Sequence, residues 1–153
     1  MTMAVTGAGV WSNPTLWVPM AAGLLVQLIK FVTTWICQRQ IDFRVLVQPG
    51  GMPSAHSAVV TALATAVGIR EGTASTAFAL ACILAGIVMY DAAGVRRAAG
   101  RQARILNRIV EDLYHGHPIA EERLWELLGH TPFEVIVGAV IGFAFAWGWL
   151  ALA

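Results

Sequence analysis

The chain has 153 residues, 58% of them apolar and only 12% charged, with a mean hydropathy of +0.67 and a net charge of +1. Soluble domains carry about 25% charged residues, so an ordinary soluble domain is excluded, and the hydrophobicity excludes intrinsic disorder. Nine of the ten basic residues are Arg, but they form no global basic surface, and no nucleic-acid partner is expected.

The expected fold class is all-α: one membrane-embedded helix bundle over residues 1–153, because in lipid each backbone polar group must be satisfied internally. Four apolar stretches mark the spans. The first, about 16–36, holds a single charge, Lys30, and is too long and too poorly flanked to read as a signal peptide. A polar stretch follows with Arg39, Asp42 and Arg44, then Gly50-Gly51-Met52-Pro53-Ser54, a turn and helix start. The second stretch, about 54–69, is short: fifteen or so residues cover about 23 Å, less than a ~30 Å hydrocarbon core. Arg70-Glu71-Gly72 makes a tight break before the third stretch, about 73–93, and the fourth runs over about 131–153.

Between the last two lies the one sizeable polar region. Arg97, Arg101, Arg104, Arg108 and Glu111 share one helical face there, and Ala98, Ile105, Leu106, Ile109 and Leu113 the other. That pattern predicts an amphipathic helix on the cytoplasmic side. His115-Gly116-His117-Pro118 closes it, and 121–128 reads as a second short helix. Eight Arg fall in the segments after the first and third spans, against Arg70 alone on the other side. The positive-inside rule therefore puts those segments in the cytoplasm and both termini outside the cell membrane. Cys37 and Cys82 lie far apart in or beside apolar runs and read as two buried free thiols.

Ionisable groups in spans are costly and usually functional. Lys30, His56, Asp91, His130 and Glu134 all fall at the cytoplasmic ends of their spans, on four different helices. Gly50-Gly51-Met52-Pro53-Ser54-Ala55-His56 combines a glycine turn, a Ser54 cap and a helix N-terminus, the usual ingredients of an anion site, with His56 in the first turn. A capped, buried turn explains the same residues without a ligand. His130 and Glu134 are four apart, so a carboxylate can hold one imidazole nitrogen and leave the other basic or nucleophilic; a pair that only pins the helix start is the plainer alternative. The same face continues through Gly138, Gly142 and Ala146, a small-residue stripe suited to close helix packing and to homo-oligomer formation. Asp91 stands just before Arg96 and Arg97, whose guanidiniums suit phosphate or ordinary membrane anchoring. No metal-site spacing is evident.

Gly50-Gly51-Met52-Pro53-Ser54-Ala55-His56-Ser57, Tyr90-Asp91-Ala92-Ala93-Gly94-Val95-Arg96-Arg97, Leu106-Asn107 and Leu128-Gly129-His130-Thr131-Pro132 together resemble the divergent PAP2 family. That family is related to type 2 phosphatidic acid phosphatases and vanadium-dependent haloperoxidases. The resemblance covers about 16–153 and implies a PAP2-like bundle with metal-independent phosphohistidine chemistry and no cofactor. It carries Pro53-Ser54-Ala55-His56 onto a Pro-Ser-Gly-His motif, with Ala55 for Gly, and His130 with Glu134 onto a His followed four residues later by Asp. Lys30 stands as counterpart of the motif Lys. Leu124 occupies the position of the expected Arg, and the resemblance then implies that Arg97 or Arg96 would take its place in space.

The implied chemistry is attack by His130, oriented by Glu134, on a lipid or prenyl phosphomonoester, with His56 protonating the leaving group. Lys30, Arg97, Arg96 and the Ser54 amide, with the glycine turn at Gly51, would hold the phosphate, while Asp91 has no counterpart. Three other readings stand beside it: a non-catalytic anion or lipid-phosphate pocket, a transporter, and a metal hydrolase using His56, His130, Glu134 and Asp91.

Overall fold

A computed structural model describes residues 12–39, 51–113 and 130–152. Five helices occupy them: α1 (Pro14–Gln38), α2 (Ala55–Glu71), α3 (Thr76–Ala93), α4 (Val95–Leu113) and α5 (Pro132–Ala151). Three helical runs, Pro14–Ile36, Thr76–Val110 and Pro132–Ala151, are long and apolar enough to cross a membrane. The fold is thus an all-α membrane bundle, and the predicted short helix over 121–128 lies outside the described residues, as do His115 and His117.

Each boundary has a local cause. Asn13 caps α1 through its side chain, which accepts from the Thr15 amide at 3.0 Å, and Pro14 opens the helix. Ser54, Ser75 and Thr131 cap α2, α3 and α5 in the same way. Gly72, at φ 85°, makes the reversal between α2 and α3 that a side chain would strain.

Faces follow from spacing. In α1, Val18, Ala22, Val26 and Lys30 are four apart and buried, whereas Leu16, Met20, Leu24, Leu28, Val32 and Ile36 point outward. Lys30 therefore belongs to the stripe that faces the bundle. Exposed Leu80, Ile83, Ile87 and Tyr90 form the outer face of α3, and Cys82, expected to be buried, is a free thiol exposed on this helix. Such surfaces are uncovered within the chain because hydrocarbon covers them in a membrane.

The short helix α2 is the hub, packed on α1, α3 and α5. Ala58, Ala62, Ala64 and Ala66 are buried along it, and small side chains let three neighbours approach. Its seventeen residues suffice because three neighbouring helices cover much of it. Against it α5 lays Gly138, Gly142 and Ala146, all buried. A Cβ at Gly138 would overlap the Ser54 carbonyl oxygen, and one at Gly142 that of Ala58. The small-residue face expected to pack closely on another helix meets α2 of the same chain.

Trp17 meets Trp149 edge-on at a centroid distance of 5.2 Å. The start of α1 and the end of α5 consequently share one end of the bundle. At the other end, backbone bonds cross Gly94, so α4 follows α3 without a loop. Ile105, Leu106, Ile109 and Val110 of α4 are exposed, as are Arg101, Arg104 and Arg108, which matches the amphipathic helix read from the sequence.

Candidate functional site

Two helix starts build the site. Thr131 and Glu134 form a reciprocal capping box at the N-terminus of α5. The Glu134 carboxylate does double duty, since one oxygen accepts from the Thr131 amide at 3.1 Å and lies 3.1 Å from His130 Nδ1. With Nδ1–H donated to that carboxylate, Nε2 carries the ring's lone pair. His130 is 5% exposed, and its own amide donates to the Ala92 carbonyl at 3.1 Å. That bond pins the start of α5 to the end of α3.

The α2 start is tied to α5 as well. The Ser54 amide donates to the Glu134 carbonyl at 3.1 Å. Its hydroxyl oxygen accepts from the Ser57 hydroxyl at 3.0 Å, and Ser54 is fully buried. This corrects one expectation: the Ser54 amide is not free to donate to a phosphate, because it is committed to the Glu134 carbonyl and positions the two helix starts. Ser57, also fully buried, has a part in the site that the sequence reading misses. Its signal is the Ser-x-x-Ser spacing, three residues after a cap.

Lys30 reaches the same level from α1. It is 6% exposed, and a Cβ on Gly51 would meet its Cε at 3.4 Å, so the lysine stem lies along the glycine turn. Gly51 holds φ 80°, a conformation that favours glycine.

His56, Val88, Asp91, Ala92 and His130 line a small pocket between α2, α3 and α5. Its volume is about 20 Å³, room for one water. His56 is exposed and Asp91 half-buried. Thus His56, Asp91 and His130, three of the five groups singled out by sequence, meet at one pocket. Glu134 stands behind His130, and Lys30 lies beside the Gly51 turn. Arg96 and Arg97 open α4 directly after Gly94, and their side chains lie outside the described residues, as do Gly50, Arg123 and Leu124. Among the described residues no three His, Cys, Asp or Glu side chains group closely enough to hold a metal ion.

The arrangement offers a buried imidazole with one nitrogen fixed by a carboxylate, a second imidazole across the pocket, and a nearby ammonium. Such a set can move a proton and attack an electrophile.

Comparison with known proteins accords with this architecture. The uncharacterized membrane protein YuiD of Bacillus subtilis (strain 168) is 42% identical over 134 residues, covering 80% of this chain and 85% of that relative. No solved structure matches. The family model described as Divergent PAP2 family matches residues 11–145, and with a relative this similar over most of both lengths, the chain belongs to the divergent PAP2 family.

Proposed function

We propose that this membrane protein hydrolyses a lipid or prenyl phosphomonoester without a metal, through a phosphohistidine on His130, at the cytoplasmic face with both termini outside. The observation that carries the proposal is the Glu134–His130 pair facing His56 across one pocket. In the first step His130 Nε2 attacks phosphorus, and a P–N bond forms as the ester P–O bond breaks. The electron pair leaves on the alkoxide, which takes a proton from His56. In the second step neutral His56 removes a proton from water; the P–O bond to that oxygen forms, the P–N bond breaks, and His130 and protonated His56 are restored. Lys30, with Arg96 or Arg97, balances charge on the equatorial oxygens, and Glu134 stabilises the imidazolium character that develops on His130.

The test is phosphate release by the purified protein from lipid and prenyl phosphates, with EDTA, orthovanadate and His130→Ala in parallel. Release that resists the chelator, falls with vanadate and vanishes with His130→Ala is expected. No release above the variant on any substrate would refute the reading.

One observation favours a second reading, a lipid-phosphate binder without turnover. The pocket has space for about one water, so a phosphoryl group would sit at its mouth rather than inside. Vanadate-insensitive binding of lipid phosphate that survives His130→Ala would select it.

A further inference from the structure

Among the described helices, α4 alone stands apart from the bundle: it touches α3 and none of α1, α2 and α5. It starts directly after Gly94, whose φ of −106° and ψ of −74° depart from the values of about −63° and −42° in a regular helix. A Cβ at Gly94 would lie 3.1 Å from the Tyr90 carbonyl oxygen, so the junction is shaped around a glycine. The 18 residues of α3 rise about 27 Å, nearly the whole of a ~30 Å hydrocarbon core. Helix α4 therefore begins at the level of the lipid head groups.

Spacing gives α4 three sides. Ile105 and Ile109 lead an apolar strip that Leu106 and Val110 widen, all four being 39–59% exposed. Arg101, Arg104 and Arg108, three and four residues apart, form an exposed row along one flank of that strip. The least exposed side holds Gly100, Ala103 and Asn107, across the helix from Ile105. The apolar strip is thus the side that the chain itself leaves uncovered.

Helix α3 indicates what covers it. The Gly94 amide donates to the Tyr90 carbonyl and the Ala98 amide to the Gly94 carbonyl, so helical phase carries across the junction. Ile87 and Ile105 then stand about five full turns apart, at 3.6 residues per turn. The outward face of α3, with Leu80, Ile83 and Ile87, consequently runs on into Ile105 and Ile109. Hydrocarbon covers that face on α3, and α4 leaves the core beside the same hydrocarbon. A transmembrane course for α4 is excluded by charge, since residues 95–110 hold five Arg and no Asp or Glu. An apolar strip flanked by cations is stable at the boundary instead, with the strip among acyl chains and the guanidiniums among head groups. A second copy would bring a like-charged row against this one, whereas lipid phosphates bring oxygens that Arg holds bidentately.

We infer that α4 is a docking surface for an anionic phospholipid leaflet. It lies in the head-group layer, with Ile105 and Ile109 in the acyl boundary and Arg101, Arg104 and Arg108 on lipid phosphates. The inference is independent of the reaction proposed above and of which leaflet α4 meets, because it stands on the two exposed sides of one helix.

The test places a nitroxide spin label on Ile109→Cys of the full chain, with Cys37→Ser and Cys82→Ser, in nanodiscs of phosphatidylglycerol or of phosphatidylcholine. Collisions of the label with oxygen, which concentrates in hydrocarbon, are compared with collisions with a water-soluble nickel chelate. A second label on Ile105→Cys repeats the measurement, so the loss of one apolar side chain does not decide it. In phosphatidylglycerol, oxygen collisions should dominate at both positions. In phosphatidylcholine the balance should move toward nickel. Arg101→Gln and Arg108→Gln should move it the same way in phosphatidylglycerol, by about fivefold in the docking equilibrium for each arginine. Nickel collisions dominating in phosphatidylglycerol would overturn the inference by leaving α4 in water. Equal immersion in both lipids, indifferent to the arginine substitutions, would overturn it in favour of apolar insertion alone. Spin–spin broadening between labels on two copies would overturn it in favour of a dimer through the strip.

Discussion

Replacing Gly142 with Ala tests the closest helix contact in the bundle. The new Cβ would lie 2.7 Å from the Ala58 Cα and 2.8 Å from its carbonyl carbon, against about 3.5–4.0 Å for unstrained carbon contacts. All of these atoms belong to backbone, so no side chain can rotate away. The two helices must separate by roughly 1 Å, which forfeits a quarter to a half of the dispersion at each atom pair along the seam. Gly148 lies on the same helix, and a Cβ added there would have no neighbour within 4 Å. Both substitutions gain the same helix propensity, about 1 kcal/mol, so their difference isolates the contact. Overpacking of this kind costs about 1–3 kcal/mol, or about 5- to 150-fold in the unfolding constant. Reversible denaturation in mixed micelles measures that difference directly. Equal stability of Gly142→Ala and Gly148→Ala would refute the α2–α5 seam described above.

Further outcomes follow from the site and from the topology. Glu134→Gln keeps an oxygen for the cap and should leave the midpoint of unfolding near that of the parent, yet lower kcat by about two to four orders of magnitude through loss of the charge behind His130. Glu134→Ala should show the same rate loss and in addition lose about 1 kcal/mol of stability with the capping box. Lys30→Met replaces a buried cation with an apolar chain of similar length; stability should hold or rise, while vanadate inhibition weakens about ten- to a hundredfold, as inhibition curves would show. For orientation, Ser12→Cys should react with an impermeant maleimide on intact cells and Arg101→Cys only after permeabilisation; the reverse pattern would invert the topology.

Much of this architecture is legible in sequence because it is set locally. Apolar runs place α1, α3 and α5, and Ser54 and Thr131 mark helix starts through side chains acting within three residues. The His130–Glu134 pair is legible for the same reason: four residues on a helix is a fixed distance. What sequence does not carry is which faces meet. The Gly138–Gly142 stripe announces close packing but not its partner, and α2 of the same chain takes it. Ser54 shows the same limit, since its amide's acceptor is the Glu134 carbonyl, eighty residues away in the chain. The placing of His130 likewise depends on where α3 ends, through the bond from its amide to the Ala92 carbonyl.

The hub position of α2 also bears on how the protein enters the membrane. Among the described helices, α1, α3 and α5 contain runs apolar and long enough to partition into lipid unaided, whereas α2 does not qualify. Its buried Ser, Thr and Ala side chains pack against the neighbouring helices. During biogenesis α2 must therefore be held beside α1 until α5, which is synthesised after it, closes over it. A chain truncated before residue 132 would leave the polar side of α2 facing lipid, and such a chain is a natural substrate for membrane quality-control proteolysis.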